Sequence, residues 1–599
     1  MRGGTKAIWL AAAALIATSP AFAAPRDADA KLPSASPAAA ASEIPPQLDP
    51  AQRAGYRQVF ASIHAGQWAD AQIELDAMKP GPLHAIARAE LYTAKGSPRI
   101  DRDSLVTLLA QAPELPEADQ LAALAKRRGA SDADLPTIPQ EQKLSWIPGA
   151  PTRVHLTTSA SDAVAAQLAV AMQPYIKDDN GVAAQALLES TQGLSGDALT
   201  EWQARVAWIY YLAGDDTNAR AMAAKSAGAP SDWGAQANWT IGLAAWRQHD
   251  CATAASAFLT VATRATDVDL RAAGLYWASR ANMMCGRPDL IQGELTSAAQ
   301  YQESFYGLLA RQALGLAPPP PPASSGGDEW RQLSRLPNVR VAAALTEIGE
   351  TELADAVIRH QAAIGSAQDY HALVHLSADL NLPETQLWLA HNGPSGAEPA
   401  VAARYPNPDW TPDGGWRVDK ALVYAHTLQE SRFRRDVVSP AGAYGLMQIR
   451  PAAATDIARN KGQADQTYDR VALTRPSTNI EIGQSYLEQL RDQPATGGLL
   501  PKVIAAYNAG PVPVAAWNAD PRDNADPLLY IESIPYWETR GYVVSVMRNY
   551  WMYEAEEGKK SPSRAALAQG MWPRFPGLKG PSAVRLNPPA AHTALASAD

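Results

Sequence analysis

The chain has 599 residues, 46% of them hydrophobic, and a formal net charge of −9. That length exceeds what a single core organises, so two to four domains are expected. The mild acidity argues against a nucleic-acid partner and against a polybasic membrane surface, and it lies outside residues 416–553, where 15 Lys+Arg face 14 Asp+Glu.

In chain order, Arg2 and Lys6 precede the apolar run Ala7 to Ala17, and "AFA" at 21–23 reads as a cleavage site. Residues 1–23 are expected to be a secretory signal peptide whose apolar part is too short to span a bilayer. No later stretch reaches 18 uninterrupted apolar residues, so no membrane span is expected and the mature protein is read as soluble and exported. Residues 24–48, rich in Ala, Pro and Ser, read as a flexible leader.

From 49 to 316 apolar residues recur at three- and four-residue spacing and β-branched alternation is almost absent, so the fold class is all-α. "YRQVFASIHAGQWADAQIELDAM", "EWQARVAWIYYLAGDDTNARAMAA" and "NWTIGLAAWRQHDCATAASAFLTVA" share one plan: an aromatic-bearing helix, a short polar or Gly turn and an Ala-rich helix. Such hairpins bury their apolar faces only by stacking, which predicts a tetratricopeptide-like superhelical domain over 49–316. Trp208, Tyr211 and Trp246 fall at helical spacing within it, as core rings or as a ligand-facing stripe.

The two cysteines, Cys251 and Cys285, fall at successive hairpin turns 34 residues apart. On one edge of the solenoid they are placed to bridge, which export permits; two unrelated small buried residues are the competing reading. Without a histidine cluster they do not make a zinc site, and neither metal nor cofactor is expected.

"APPPPPASSGGDEW" (317–330) reads as a surface linker. Short helices over 331–400 predict a small helical linker domain, a compact unit follows over 405–555, and 556–599 read as a poorly ordered extension.

The chemistry concentrates in that compact unit. In "ALVYAHTLQESRF" Glu430 closes an apolar helix and shares a face with Val423 and Thr427. Apolar surroundings raise a carboxyl pKa, as a general acid near neutrality requires, whereas His426, if protonated, opposes this. The alternative is a solvated glutamate at a helix end. "SPAGAYGLMQIRP" follows, with Gly442 and Gly445 around Tyr444 allowing close backbone approach, and with Met447 and Gln448 suited to a ring bearing acetamido and hydroxyl groups. In "AAYNAGPVPVAAW" Gly510 stops a helix that offers the Tyr507 phenol. "YIESIPYWETRGYVVSVMRNYW" adds Glu532, Glu538 and Arg540.

Taken in order, "QES", "SPAGAYGLMQIRP", "NIEIGQSYL", "AAYNAG" and "ESIPYWETRGYV" resemble the catalytic domain of the soluble lytic transglycosylases, goose-lysozyme-like enzymes that cut bacterial peptidoglycan. The upstream region is similar in plan to that family's superhelical and linker domains. The resemblance implies that Glu430 is the single acid/base. It implies substrate contacts for Met447, Gln448, Tyr507, Asn508 and Glu538, the last ranked above Glu532 because the match is to "ETR"; Ser439 is read as a further contact, and Tyr444, which stands where several relatives carry a small residue, as narrowing a subsite. The mature chain is expected to be a periplasmic monomer acting on glycan strands, with the concave surface of the superhelical domain either guiding those strands toward the cleft or recruiting other cell-wall enzymes. Glycoside hydrolases ordinarily use two carboxyl groups; Glu430 has no obvious partner in its motif cluster, since Asp436 lies beyond the loop start. The implied chemistry is therefore closure of a 1,6-anhydro ring by the substrate's own hydroxyl. A hydrolytic lysozyme and a non-catalytic periplasmic scaffold are the competing readings.

Overall fold

The computed structural model describes residues 44–156, 162–317, 328–462, 467–519, 523 and 525–587. The expected signal peptide, most of the leader, the centre of the Pro-rich linker and residues 588–599 lie outside them. Among the described residues regular structure is almost wholly helical. The strands form two short antiparallel pairs, Ser145–Trp146 with Asn392–Gly393 and Trp572–Pro573 with Ala583–Val584. No helix among these residues is long and apolar enough to cross a membrane.

One turn generates most of the hairpins. A helix ends, the first or second residue beyond it takes a left-handed conformation, and the residue after that is the N-cap of the following helix. The left-handed position is Gly66, Asp179, Gly214, His249, Gly286, Gly349 or Asn381, with φ between 48° and 90°. The next N–H then reaches the carbonyl five residues back: Asp215 to Tyr210 at 3.0 Å, Asp250 to Ala245 at 2.9 Å, Arg287 to Asn282 at 2.9 Å and Leu382 to Ser377 at 2.8 Å. That is the Schellman closure of a helix end. Asp215 and Asp250 at once cap the following helices by accepting from the N–H groups of Asn218 and Thr253, each at 3.1 Å. Three of the seven left-handed positions carry a side chain that costs energy there, which is why the repeat is blurred in the sequence.

The helices sort into two hydrophobic cores that interleave along the chain. In one, the helices between Pro50 and Arg127 pack with those between Pro337 and His391, burying Phe60, Leu108, Val341, Leu345 and Leu376 together. Arg53 bridges Glu347 at 2.8 Å, and Asn338 donates its amide to the Glu114 carbonyl at 2.7 Å. In the other, the helices between Ala163 and Ala313 share a core with residues 405–575. The helices of the expected superhelical stretch 49–316 thus divide between the two cores, the first five sharing theirs with the helices of 331–400. The helix Pro50–His64 packs directly on Pro337–Ile348, and the next four helices join the same core.

Glu532 anchors the second core. It is fully buried, accepts from the Tyr306 hydroxyl at 2.6 Å, and pairs with Arg153 at 2.8 Å. Arg153 also reaches Asp269 at 3.3 Å, Arg280 pairs with Asp526 at 2.7 Å, and Phe305 stacks on Trp551 at 4.9 Å. These ties fasten the 163–313 helices to the compact unit.

Cys251 and Cys285 form a disulfide, their Cα atoms 5.5 Å apart. The poorly ordered extension is corrected over 556–587. Helix Pro562–Ala568 and the ribbon that follows are folded, and Trp572 is fully buried, donating its indole N–H to the Ala525 carbonyl at 2.7 Å. Parts of the expected leader and linker also belong to the fold: Leu48 is buried, and the helix Asp328–Leu333 starts inside the segment read as linker. Of the three aromatics singled out in the solenoid, Tyr211 is core, Trp246 packs edge-on to Trp277 at 5.3 Å, and Trp208 is half-exposed beneath the Arg540 guanidinium.

Candidate active site

The site is built on the helix Lys420–Glu430, started by Asp419, whose carboxylate accepts from the Ala421 N–H at 3.0 Å. Residues 421–427 are all buried, because this helix passes between Pro476–Arg491 and Trp537–Glu556 and is apolar all round. Glu430 is its last residue. Arg432 and Phe433 then take φ of 54° and 63°, two consecutive left-handed residues without glycine. Such strain persists only where the surroundings fix it. Here the buried Phe433 ring does so, set against Tyr424 at 5.6 Å and Trp410 at 6.1 Å. The chain is thereby thrown sharply away from the helix axis directly after Glu430.

The Glu430 carboxyl accepts from the Tyr542 hydroxyl at 2.6 Å. Burial raises its pKa to about 7; the Tyr542 hydrogen bond pulls down and the charge of the exposed Glu538 pushes up. The carboxyl is thus evenly divided between acid and base near neutrality. Tyr542 and Tyr507 keep their protons, held far above the ordinary phenol range chiefly by burial. Their rings lie parallel at 6.4 Å, with His426 4.8 Å from Tyr507 and 6.0 Å from Tyr542. The condition under which His426 would oppose the acid, its protonation, is not met near neutrality. Burial drives its pKa down to about 4, Nδ1 lies 2.9 Å from the Leu422 carbonyl, and Nε2 is buried without a hydrogen-bond partner among the described residues. It is a neutral packing ring at pH 7.

The loop 437–450 is a framework rather than a row of free side chains. Tyr444 and Ile449 exchange both backbone bonds, at 2.9 and 3.0 Å, and Ser439 caps the turn by accepting from the Ala443 N–H at 3.0 Å. Gly445 has φ of 74°, and a Cβ there would fall 2.3 Å from the Leu473 carbonyl oxygen, so this position requires glycine. Asn479 locks the loop to helix Pro476–Arg491: it accepts from the Met447 N–H at 2.8 Å and donates to the carbonyls of Tyr444 and Leu473 at 3.0 and 2.7 Å.

The expected site residues divide accordingly. Glu430 feels the charge of Glu538, and Tyr507 feels that of Glu430. Gln448, half-exposed with φ of 48°, donates its amide to the Gly445 and Val437 carbonyls at 2.8 and 3.3 Å, leaving its amide oxygen outside these bonds. Tyr444 and Ser439 are half-exposed loop residues. Asn508 accepts from Thr539 at 2.6 Å and so joins the Tyr507 helix to the Tyr542 helix. The Met447 side chain is fully buried against Gly483, while its carbonyl accepts from the Tyr507 hydroxyl at 2.8 Å. It supports the site from the core. Sequence reasoning missed Tyr542 and Asn479. Tyr542 follows Glu538 by four residues, the spacing that puts two side chains on one helix face, and that was the available signal.

A cavity of about 640 Å³ opens beside the turn, with Gln429, Arg432, Glu538 and Tyr542 in one wall. The opposite wall comes from elsewhere in the chain, including Trp146, stacked on His391 at 5.1 Å, and Arg404. Among the described residues no three His, Cys, Asp or Glu side chains converge as metal ligands would.

Residues 413–529 match the family model described as Transglycosylase SLT domain. The soluble lytic murein transglycosylase of Salmonella typhimurium is 36% identical over 160 residues, 27% of this chain and 24% of that protein. The Escherichia coli K12 protein of the same name is 35% identical over 156 residues, 26% of this chain and 24% of its own length. The matched stretch thus spans about a quarter of these curated relatives. Over the whole backbone, the 70 kDa soluble lytic transglycosylase of Escherichia coli aligns with a TM-score of 0.52, covering 88% of this chain and 99% of that one at 18% identity. An inactive mutant of the lytic transglycosylase Slt from Pseudomonas aeruginosa aligns at 0.50, covering 86% and 83% at 20% identity. At such identities the likeness concerns the fold. The chain carries a transglycosylase SLT domain and has the fold of the soluble lytic transglycosylases.

Proposed function

We propose that the protein is a lytic transglycosylase that cleaves the β-1,4 bond between N-acetylmuramic acid and N-acetylglucosamine in peptidoglycan, leaving 1,6-anhydromuramoyl ends. The observation that carries this reading is a lone carboxyl with pKa about 7, hydrogen-bonded to a phenol rather than paired with a second carboxylate. An acid near its pKa at working pH both gives and takes a proton efficiently. Protonated Glu430 donates to the glycosidic oxygen as the bond to C1 breaks, and the muramoyl acetamido group supports the cationic carbon. The carboxylate so formed, held by Tyr542, takes the proton of the same sugar's C6 hydroxyl, whose oxygen closes on C1. No water is consumed, and the tethered nucleophile gains the large effective molarity of intramolecular attack. The exposed Glu538 favours protonated Glu430 before cleavage. The expected site of action is the periplasm, where the murein substrate lies.

Mass spectrometry of products from purified sacculi tests the reading. Anhydromuropeptides, one water lighter than hydrolytic products, are expected from the wild type, and Glu430→Gln should lose about 10²–10⁴-fold in rate or more while still binding glycan. Hydrolytic masses, or substantial cleavage by that variant, would refute it.

A further inference from the structure

A second cavity, of about 700 Å³, lies between the helices Gly196–Leu212 and Asp232–Arg247 on one side and residues 516–540 of the compact unit on the other. Trp208, Trp233, Trp517, Tyr536 and Trp537 line it. The tryptophans of the neighbouring core, Trp202, Trp239 and Trp277, are fully buried, whereas these five rings all keep exposed surface and Tyr536 is 52% exposed. Folding therefore finishes the core and leaves this cluster open.

The rings are held in place. The Arg540 guanidinium sits 4.5 Å over Trp208 and 5.3 Å from Trp537, and Arg205 sits 4.7 Å over Trp233. Trp517 stands edge-on to Tyr536 at 5.4 Å. Arg205 is engaged by Glu201 at 2.8 Å, whereas Arg540 gives its Nε–H to the Ile534 carbonyl at 3.2 Å and keeps its terminal N–H groups in the plane of the stacked guanidinium. The cavity thus combines flat apolar faces with fixed hydrogen-bond donors in a volume typical of ligand sites. Those features suit an uncharged pyranose, which offers a C–H face to an indole and hydroxyl and acetamido oxygens to an arginine. Trp537 and Arg540 line both this cavity and the one beside the Glu430 turn. Trp537 opens the helix that carries Tyr542, and at 1.5 Å per residue the two lie about 8 Å apart along its axis.

We propose that this cavity is a second saccharide site, holding a β-1,4-linked amino-sugar segment of the same glycan strand at a distance from the bond being cut. The inference rests on the glycan reading above and extends it to the surface where the superhelical helices meet the catalytic unit.

Calorimetric titration of the full-length Glu430→Gln protein with chitotetraose is expected to give two classes of binding site. Adding Trp233→Ala should weaken one class about tenfold, a typical loss for a central aromatic anchor, while Trp233→Phe keeps most of the affinity. In otherwise wild-type protein, Trp233→Ala should raise KM about tenfold for long glycan strands, with a much smaller effect on a tetrasaccharide muropeptide and little change in kcat. Unchanged affinity and KM in Trp233→Ala would overturn the proposal. So would equal losses on long and short substrates that Trp233→Phe does not rescue, since the cavity is then only a structural contact. Displacement of the second chitotetraose by a sugar-free stem tetrapeptide at similar affinity would overturn it in favour of a peptide site. A wild-type protein that releases no anhydro ends refutes the proposed reaction, while the two-site count still decides the saccharide site.

Discussion

Tyr542→Phe isolates the hydrogen bond that tunes the acid. The substitution removes one oxygen and leaves the ring that lies parallel to Tyr507 and near His426. The lost bond, 2.6 Å from Tyr542 to Glu430 Oε1, favours the carboxylate over the protonated acid. A hydrogen bond to a charged group is worth about 1.5–3 kcal/mol and to a neutral one about 0.5–1.5 kcal/mol. The difference of about 1.4 kcal/mol corresponds to about one pKa unit. Glu430 starts from about 7, so loss of the bond moves it upward. Because the first step needs the protonated form, kcat/KM falls as pH rises through the pKa of the free enzyme, and in Tyr542→Phe that descending limb should move about one unit toward higher pH. The rate at pH 6 should fall for a different reason, since the carboxyl loses its orientation. The assay is the pH dependence of kcat/KM on soluble glycan strands, with anhydro ends counted by mass spectrometry. A limb that stays in place or moves to lower pH would refute the assignment of Tyr542 as the group holding the carboxylate.

Three further outcomes are expected. Gly445→Ala should destabilise the catalytic unit by about 2 kcal/mol or more, seen as a lower urea midpoint, because it forces a side chain onto φ of 74° and against the Leu473 carbonyl; an unchanged midpoint contradicts the loop geometry. Thiol titration of denatured, unreduced protein should find no free thiol, and Cys251→Ser with Cys285→Ser should cost about 2–4 kcal/mol through the loop that the bridge closes. Ending the chain at Gly558 removes the fully buried Trp572 and should abolish a cooperative thermal transition of the catalytic unit, since loss of such a ring alone costs about 3–5 kcal/mol; a native melting temperature in the truncated protein would restore the reading of this segment as an appendage.

Much of this was legible in the sequence wherever a local rule governs. Helical periodicity, hairpin turns and the glutamate closing an apolar helix each depend on neighbours within about one turn or one hairpin. What stayed hidden depends on contacts between distant segments. Tyr542 reaches Glu430 across 112 residues, and the burial of Met447 against Gly483 is set by a helix about 35 residues further on. His426 looked like a titrating neighbour until its burial was known. The proline- and alanine-rich composition after Glu557 suggested disorder, yet Trp572 and Phe575 each found a place in the core. The partition of the helices into two cores left no trace in periodicity, since stacked hairpins look alike whichever neighbour they stack on.

That partition also bears on how the chain reaches its fold. The first five helices complete their core only with residues beyond 333, roughly 200 residues further on, so the end-to-end contact waits on a long loop closing. Everything between, including much of the second core, is synthesised while those five helices still show an uncovered apolar face. Such a face is where partly folded chains associate with one another. Refolding yield should therefore depend on protein concentration, and a fragment ending before Pro337 should aggregate although each of its hairpins is intact.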